Sequence, residues 1–244
     1  MTHDIGLIET FLCAGTRAPF WKNHWRRLRR SARKIELNLK PDLGRSVSAQ
    51  IRRLKPHVHR ARLSVSARGF DHLTFAGYDA RWMEAGSAPG ERLICLAAPA
   101  DYPGPWAGMK TTARVELEKL FRVAAERGAA DAILHQSGIL CETTRGNIFW
   151  IKNGVVHTPS LAVGCLPGVM RAWVIRRLRA WKIPVQQGRY ERFVLKKTNA
   201  VFRTNALIGV SWVNRVDGIG SWRRPHPLVD RLRRELKVLF RPRS

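Results

Sequence analysis

Three groups between Met109 and Arg171 have the residue types that covalent carbonyl chemistry needs. Lys110 follows Trp106-Ala107-Gly108-Met109. An amine flanked by apolar and small residues is a candidate for a depressed pKa, which makes it a nucleophile towards an aldehyde. Glu142 opens the string Glu142-Thr143-Thr144-Arg145-Gly146-Asn147-Ile148-Phe149 and offers a carboxylate able to keep a partner nitrogen protonated. Gly168 precedes Val169, Met170 and Arg171 at an expected helix start, where backbone N–H groups and the helix dipole favour a phosphate. Each also has an ordinary explanation, since lysines at helix starts and glutamates at strand entrances are mostly surface residues.

The elements that must position these groups read as a mixture of helices and strands. Ile5 to Cys13 is a short apolar strand closed by Ala14-Gly15-Thr16. His24 to Leu37 has helical period, with Leu28, Ala32 and Ile35 on one face and arginines on the other, and Ser46 to Leu54 predicts a second amphipathic helix. Arg60 to Ala67 alternates as a half-buried strand, and Arg92 to Ala98 is an apolar run of strand length. The cluster Pro99, Pro103, Gly104, Pro105 and Gly108 marks a linker.

Beyond it, Leu117, Leu120, Phe121 and Ala124 define a helix closed by Gly128, and Asp131 to His135 reads as a strand. Glu142 is expected just ahead of the next strand. Asn147 to Ile151 and Val155 to Thr158 flank Lys152-Asn153-Gly154, a hairpin turn that tolerates positive φ. A helix from Gly168 to about Trp181, strands at Ala200–Thr204 and Val210–Val213, and a terminal helix at Pro227–Phe240 complete an α+β chain in two halves. The expected organisation is a domain over 1–98, a linker over 99–107 and a second domain over 108–244.

At these motifs the chain resembles the fold-type IV pyridoxal-phosphate family, which includes the branched-chain and D-amino-acid aminotransferases and 4-amino-4-deoxychorismate lyase. Gly108-Met109-Lys110-Thr111-Thr112-Ala113-Arg114 is similar to the family's cofactor-lysine segment, with Ala113 where many relatives carry Asn. The resemblance implies a small N-terminal α/β domain and a larger C-terminal α/β pseudo-barrel domain. It implies pyridoxal 5'-phosphate as cofactor, with Lys110 bonded to its aldehyde carbon and Glu142 paired to its pyridine nitrogen. The phosphate would then lie on Val169 and Met170, on Arg27 of His24-Trp25-Arg26-Arg27-Leu28, and on Thr204 and Asn205 of the last loop. Asn147 would fix its loop, and Arg171 has a capping or interdomain role as readily as a catalytic one. The family ordinarily carries a further segment ahead of the strand at Gly6, which leaves a dead enzyme fold or a piece of a fused synthase as readings beside the active enzyme. Homodimers with sites near the interface are the implied assembly.

Within the family, the chain is closest to the lyase branch. Lys110-Thr111-Thr112, the string Asn205-Ala206-Leu207, and Ile8-Glu9-Thr10-Phe11 all resemble lyases, and the last gives Thr10 a role in proton transfer to the leaving group. Arg62 or Arg68 would pair with the carboxylates of a small anionic substrate. The expected activity is release of pyruvate and 4-aminobenzoate for folate synthesis. An aminotransferase of D-amino-acid or branched-chain type is the alternative, and a basic binding protein on a dead fold the second alternative.

Composition bounds the rest. The chain has 244 residues, 45% of them apolar, which is enough for a sizeable core. Cys13, Cys95, Cys141 and Cys165 show no paired or metal-like spacing, so a reducing, cytoplasmic location is expected and a metal is not. No apolar stretch is long enough to span a bilayer. The net charge of +26 is anomalous. Its arginines are spread through helices rather than gathered in a tail, and no nucleic-acid motif accompanies them, so a solvated basic surface is the simpler reading and nucleic acid is not an expected partner.

Overall fold

The computed structural model describes residues 5–66, 71–80, 82 and 89–241. The chain divides into two compact units, the first from Met1–Glu84, Met109–Ala113 and Leu236–Ser244, the second from Ala85–Gly108 and Arg114–Glu235.

In the first unit, β1 (Leu7–Ala14), α1 (Trp21–Lys34), α2 (Leu43–Ile51), β2 (Val58–Val65) and β3 (Asp71–Gly77) form an antiparallel sheet in the order β1-β2-β3 with both helices against one face. Alternation along the strands decides which face that is. Leu7, Phe11 and Cys13 pack with Ala61, Leu63 and Val65 against Trp21, Leu28 and Ala32 of α1 and Leu43, Val47 and Ile51 of α2. The opposite face holds cross-strand rows, Ile8 beside Ser64 and His72, then Thr10 beside Arg62 and Thr74. At the free edge of β1, Thr111 bridges Leu7 antiparallel, the Ile8 N–H donates to the Lys110 carbonyl, and the Thr112 N–H donates to the Gly6 carbonyl. Phe240 returns from the far end of the chain to contact Phe20 and Trp82.

The second unit contains β4 (Glu91–Ala97), α3 (Val115–Glu126), β5 (Asp131–Gln136), β6 (Ile139–Thr143), β7 (Asn147–Lys152), β8 (Val155–Pro159), α4 (Val169–Ala180), β9 (Val185–Gly188), β10 (Ala200–Asn205), β11 (Gly209–Val216), β12 (Gly220–Ser221) and most of α5 (Pro227–Phe240). Its sheet runs β6-β5-β4-β11-β10-β7-β8-β9, with β12 beside β11. The core joins Leu93, Ile133, Leu140, Ile148, Trp150, Val201, Val213 and Val216 across the strands.

The unit boundaries differ from a simple split at a Pro/Gly linker. β4 pairs in parallel with β5 and β11, so it belongs to the second unit. The stretch around Tyr102 is folded into turns of that unit, and the Lys110 segment is stitched to β1 of the first. Glu142 lies within β6, not ahead of a strand, because Thr143 pairs with Ile133 of β5. No helix among the described residues is long and apolar enough to cross a membrane.

Candidate active site

In the first unit, Lys110 is part-buried. The Leu7–Thr111 bridge sets it opposite Ile8, whose side chain alternates onto the same face of β1 as Thr10. Thr112 explains part of the Lys-Thr-Thr motif: its hydroxyl accepts from the Gly6 N–H at 3.0 Å, which with the backbone bonds locks the lysine segment to the strand. Thr10 pairs directly with Arg62, an exposed residue whose guanidinium is within reach of that face. Arg68 lies outside the described residues.

Arg27 is buried on the inner face of α1, and its fork meets Glu9. Nε donates to Glu9 Oε1 at 2.8 Å and Nη2 to Oε2 at 2.6 Å. His24 Nδ1 shares Glu9 Oε2 at 2.6 Å, while His24 Nε2 is buried with no hydrogen-bond partner. The sequence treats Arg27 as a phosphate ligand; the structure adds a buried carboxylate that organises it, and the burial of a glutamate inside an apolar strand carried no local signal.

Burial opposes ionisation of Glu9, but the charge and hydrogen bonds of Arg27, followed by those of His24, outweigh it and hold the carboxyl at about 2, below the 4.5 of an exposed glutamate. Burial also lowers the pKa of His24; Glu9 opposes that shift, while Arg27 and Lys110 add to it. Both groups therefore bind protons more readily in the unfolded chain than in the folded one. Stability is expected to fall as pH drops below the ordinary 6.5 of histidine, and further as it drops through 4.5 towards 2. Urea midpoints between pH 7 and pH 3.5 check this. In His24→Gln the upper part of the slope should flatten, and an unchanged slope there would remove His24 as its source.

The second unit gathers a different set. Glu142 Oε1 accepts from Tyr102 Oη at 3.0 Å, and Oε2 accepts from the Leu166 N–H at 3.1 Å and from Asn147 Nδ2 at 3.4 Å. Asn147 Nδ2 also donates to the Leu166 carbonyl at 2.9 Å. The carboxylate is thus held in one orientation by three donors, one of which, Tyr102, comes from the Pro/Gly-rich stretch and was not singled out in the sequence. Burial and the neighbouring Glu142 charge raise the Tyr102 pKa, so it remains a donor. The same surroundings push the Cys165 thiol to about 12 and the Cys141 thiol to about 11 through burial, which keeps both neutral.

Gly168 caps α4 in an extended conformation, with no side-chain hydrogen bond to the cap. A Cβ there would stand 2.0 Å from Asn147 Oδ1, so only glycine lets the helix start approach this side chain. Asn147 in turn pairs in register with Thr204 of β10. Thr204 is 1% exposed, and its Oγ1 has no hydrogen-bond partner. Buried hydroxyls are seldom left so. An open helix N-terminus at Val169 and Met170 and an orphaned hydroxyl, both beside Asn147, fit an anion such as a phosphate. Asn205 serves the loop: its Oδ1 accepts from the N–H groups of Leu207 and Ile208 at 2.8 and 2.9 Å. Arg171 Nη2 donates to the Pro159 carbonyl and to Gln187, each at 2.8 Å.

Thr204→Val should leave the thermal midpoint of the cofactor-free protein unchanged or raised, because it removes an unsatisfied buried oxygen. It should weaken affinity for a phosphorylated cofactor by about tenfold, the worth of one hydrogen bond to an anion. Spectrophotometric titration measures the second effect, and equal affinity in the two proteins would remove Thr204 from the phosphate site.

Thr143 and Thr144 of the family-like string are structural. Buried Asp131 accepts from Thr143 Oγ1 at 2.9 Å and from the Thr144 N–H at 3.1 Å, and Arg203 Nη1 reaches it at 2.7 Å while also pairing with Glu91.

A lysine at a strand edge, a clamped carboxylate and an open helix start are residue types that a pyridoxal-phosphate enzyme uses. The chain belongs to the amino-transferase class IV family, whose model matches residues 6–216, and that family works with pyridoxal phosphate. It is 34% identical over 88 residues to aminodeoxychorismate lyase of Vibrio harveyi, covering 36% of this chain and 32% of that protein. Over 113 residues it is 31% identical to a Thermotoga maritima protein assigned as a branched-chain-amino-acid aminotransferase, covering 45% and 40%. The chain thus aligns with well under half the length of these curated relatives. A Legionella pneumophila structure assigned as a 4-amino-4-deoxychorismate lyase superposes with a TM-score of 0.81 at 27% identity, covering 96% of this chain and 91% of that one. The fold is the mixed α/β fold of fold-type IV enzymes, as expected from the motifs.

Proposed function

We propose that the protein is a 4-amino-4-deoxychorismate lyase, releasing pyruvate and 4-aminobenzoate. The observation that supports this most is the polar row on the face of the first-unit sheet turned away from its helices, where Thr10 sits directly opposite Arg62 and shares its face with the strand position opposite Lys110. A lyase needs a hydroxyl to hand a proton to the departing enolpyruvyl group and a cation to hold a substrate carboxylate.

When bound, pyridoxal phosphate supplies an electron sink for the pair released by proton removal. Lys110 would hold it through its side-chain amine, and that amine would take the proton from the substrate carbon bearing nitrogen. The ether C–O bond then breaks, Thr10 passes a proton to the departing carbon skeleton to give pyruvate, and the ring becomes aromatic. Glu142, oriented by Tyr102, Leu166 and Asn147, would keep the pyridine nitrogen protonated. Val169, Met170, Thr204, Asn205 and Arg27 would hold the phosphate. Arg62 holds a substrate carboxylate. Cytoplasmic location, a role in folate synthesis and a homodimer belong to the same proposal.

Aminotransferase relatives at comparable identity support the alternative that the same residues serve amine transfer. The two separate in one assay: the protein saturated with pyridoxal phosphate, given 4-amino-4-deoxychorismate and no keto acid. Repeated turnover to 4-aminobenzoate supports the lyase. A visible cofactor band without product, together with amine transfer to an added keto acid, would replace it with an aminotransferase. Absence of both band and product would leave the dead fold.

A further inference from the structure

We propose that the outer face of α1 is a binding site for single-stranded nucleic acid, with the sugar–phosphate backbone along a row of cations and a base stacked on Trp25. Lys22, Arg26, Arg29 and Arg33 recur at intervals of four, three and four residues. At 3.6 residues per turn these residues and Trp25 fall within a sector of roughly 100°. The other side of the helix carries the buried Trp21, His24, Arg27, Leu28, Ser31 and Ala32. The five outer residues line one shallow groove of about 360 Å³.

The four cations of this groove have no acidic relief. α1 contains no Asp or Glu, and the four side chains are exposed with no ion-pair partner among the described residues. Some exposed cations elsewhere are neutralised locally. Lys119 pairs with Glu116 and Arg145 with Glu118, Arg92 and Arg215 share Asp217, and Arg177 meets Glu235. Like charges at i,i+4, such as Lys22 with Arg26 and Arg29 with Arg33, each destabilise a helix by about 0.2–0.5 kcal/mol. α3, by contrast, sets Glu116 and Glu118 among its basic residues.

The row extends about 16 Å from Lys22 to Arg33, long enough for several consecutive phosphates of one strand. Trp25 selects the kind of polyanion. Its indole lies against Gly44, where a Cβ would approach to 2.8 Å, and tilts against Trp21 at 5.8 Å between centroids. A ring fixed on the floor of a groove cannot insert into a bilayer, but it offers a rigid platform to an unpaired base. A duplex, whose bases are already stacked, would gain only the phosphate contacts.

The test is fluorescence anisotropy of a labelled 12-nucleotide uridine RNA with the full chain at 50 and 200 mM salt. Binding should weaken steeply with salt. The variant Arg26→Glu/Arg29→Glu/Arg33→Glu should lose at least about tenfold in affinity, and Trp25→Leu about tenfold for the single strand with no change for a duplex of equal length. A second reversal at exposed sites elsewhere, Arg176→Glu/Arg179→Glu/Arg234→Glu, removes the same charge and should lose less than about threefold. The α1 sites are exposed, so thermal midpoint and cofactor absorbance should be retained; the Gln triple at the same positions repeats the measurement with a smaller perturbation. Equal losses in the two reversal variants would mean a diffuse positive field and overturn the proposal. So would undiminished binding in Trp25→Leu, no RNA binding at 50 mM, or adsorption to phosphatidylserine vesicles without RNA binding.

Discussion

Lys110→Ala is expected to abolish the yellow band of bound pyridoxal phosphate and to lower turnover by at least about a thousandfold, the scale seen when a covalent catalyst is removed. The structure gives a reason to expect chemistry rather than fold to be lost. What ties this segment to β1 is backbone: the Lys110 carbonyl accepts from Ile8, and Thr112 meets Gly6 through both its N–H and its hydroxyl. None of these bonds uses the lysine side chain, so the alanine variant should keep the segment on β1 and change stability by no more than about 1 kcal/mol. Absorbance at saturating cofactor, turnover and a thermal scan together read the three effects. A variant with full activity would move the covalent role away from Lys110.

The second large effect concerns stability. Replacing Arg27 with Met should destabilise the protein by about 3–5 kcal/mol, because it leaves Glu9 charged and buried with only His24 beside it. Glu9 is 1% exposed. The double variant Arg27→Met/Glu9→Gln should recover much of the loss, since no uncompensated charge remains. Urea unfolding of both proteins gives the numbers. Equal stability of the single and double variants would mean that the Glu9 charge is not what Arg27 compensates. If Arg27 also holds the cofactor phosphate, the double variant should remain weakened in cofactor binding after its fold has been rescued.

Much of this was legible in the chain, and the reasons differ by element. The β7–β8 hairpin follows from Asn153-Gly154, which adopt φ of 49° and 77° as the turn requires. The helix at Pro227–Phe240 follows from its apolar period. β6 was missed although Ser137-Gly138, also at positive φ, marks its turn, because an apolar run as short as Ile139–Cys141 has no resolvable period. β3 escaped because it is mostly exposed and follows Gly69 closely in the sequence. At the site, Lys110 and Glu142 carry motifs, whereas the groups that orient them do not. Tyr102 reaches Glu142 across forty residues, and Glu9 meets Arg27 across eighteen. Such pairs exist only once the tertiary fold brings them together, so no local pattern announces them.

The first unit draws on chain segments that are far apart in synthesis. Arg17, near the start, donates to the carbonyl of Leu239 at a separation of 222 residues, and Phe20 and Trp82 contact Phe240. On the ribosome, β1, α1 and α2 emerge well before the Lys110 segment and the last turn of α5, both of which must follow before that unit is complete. Its apolar surface around Phe20 and Trp82 stays uncovered while the whole second unit is being made. Nascent chains should therefore depend on a holding chaperone until α5 has emerged. Cleavage in the α5 turn at residues 236–240 should open the N-terminal unit first, although the cut lies more than two hundred residues away from β1.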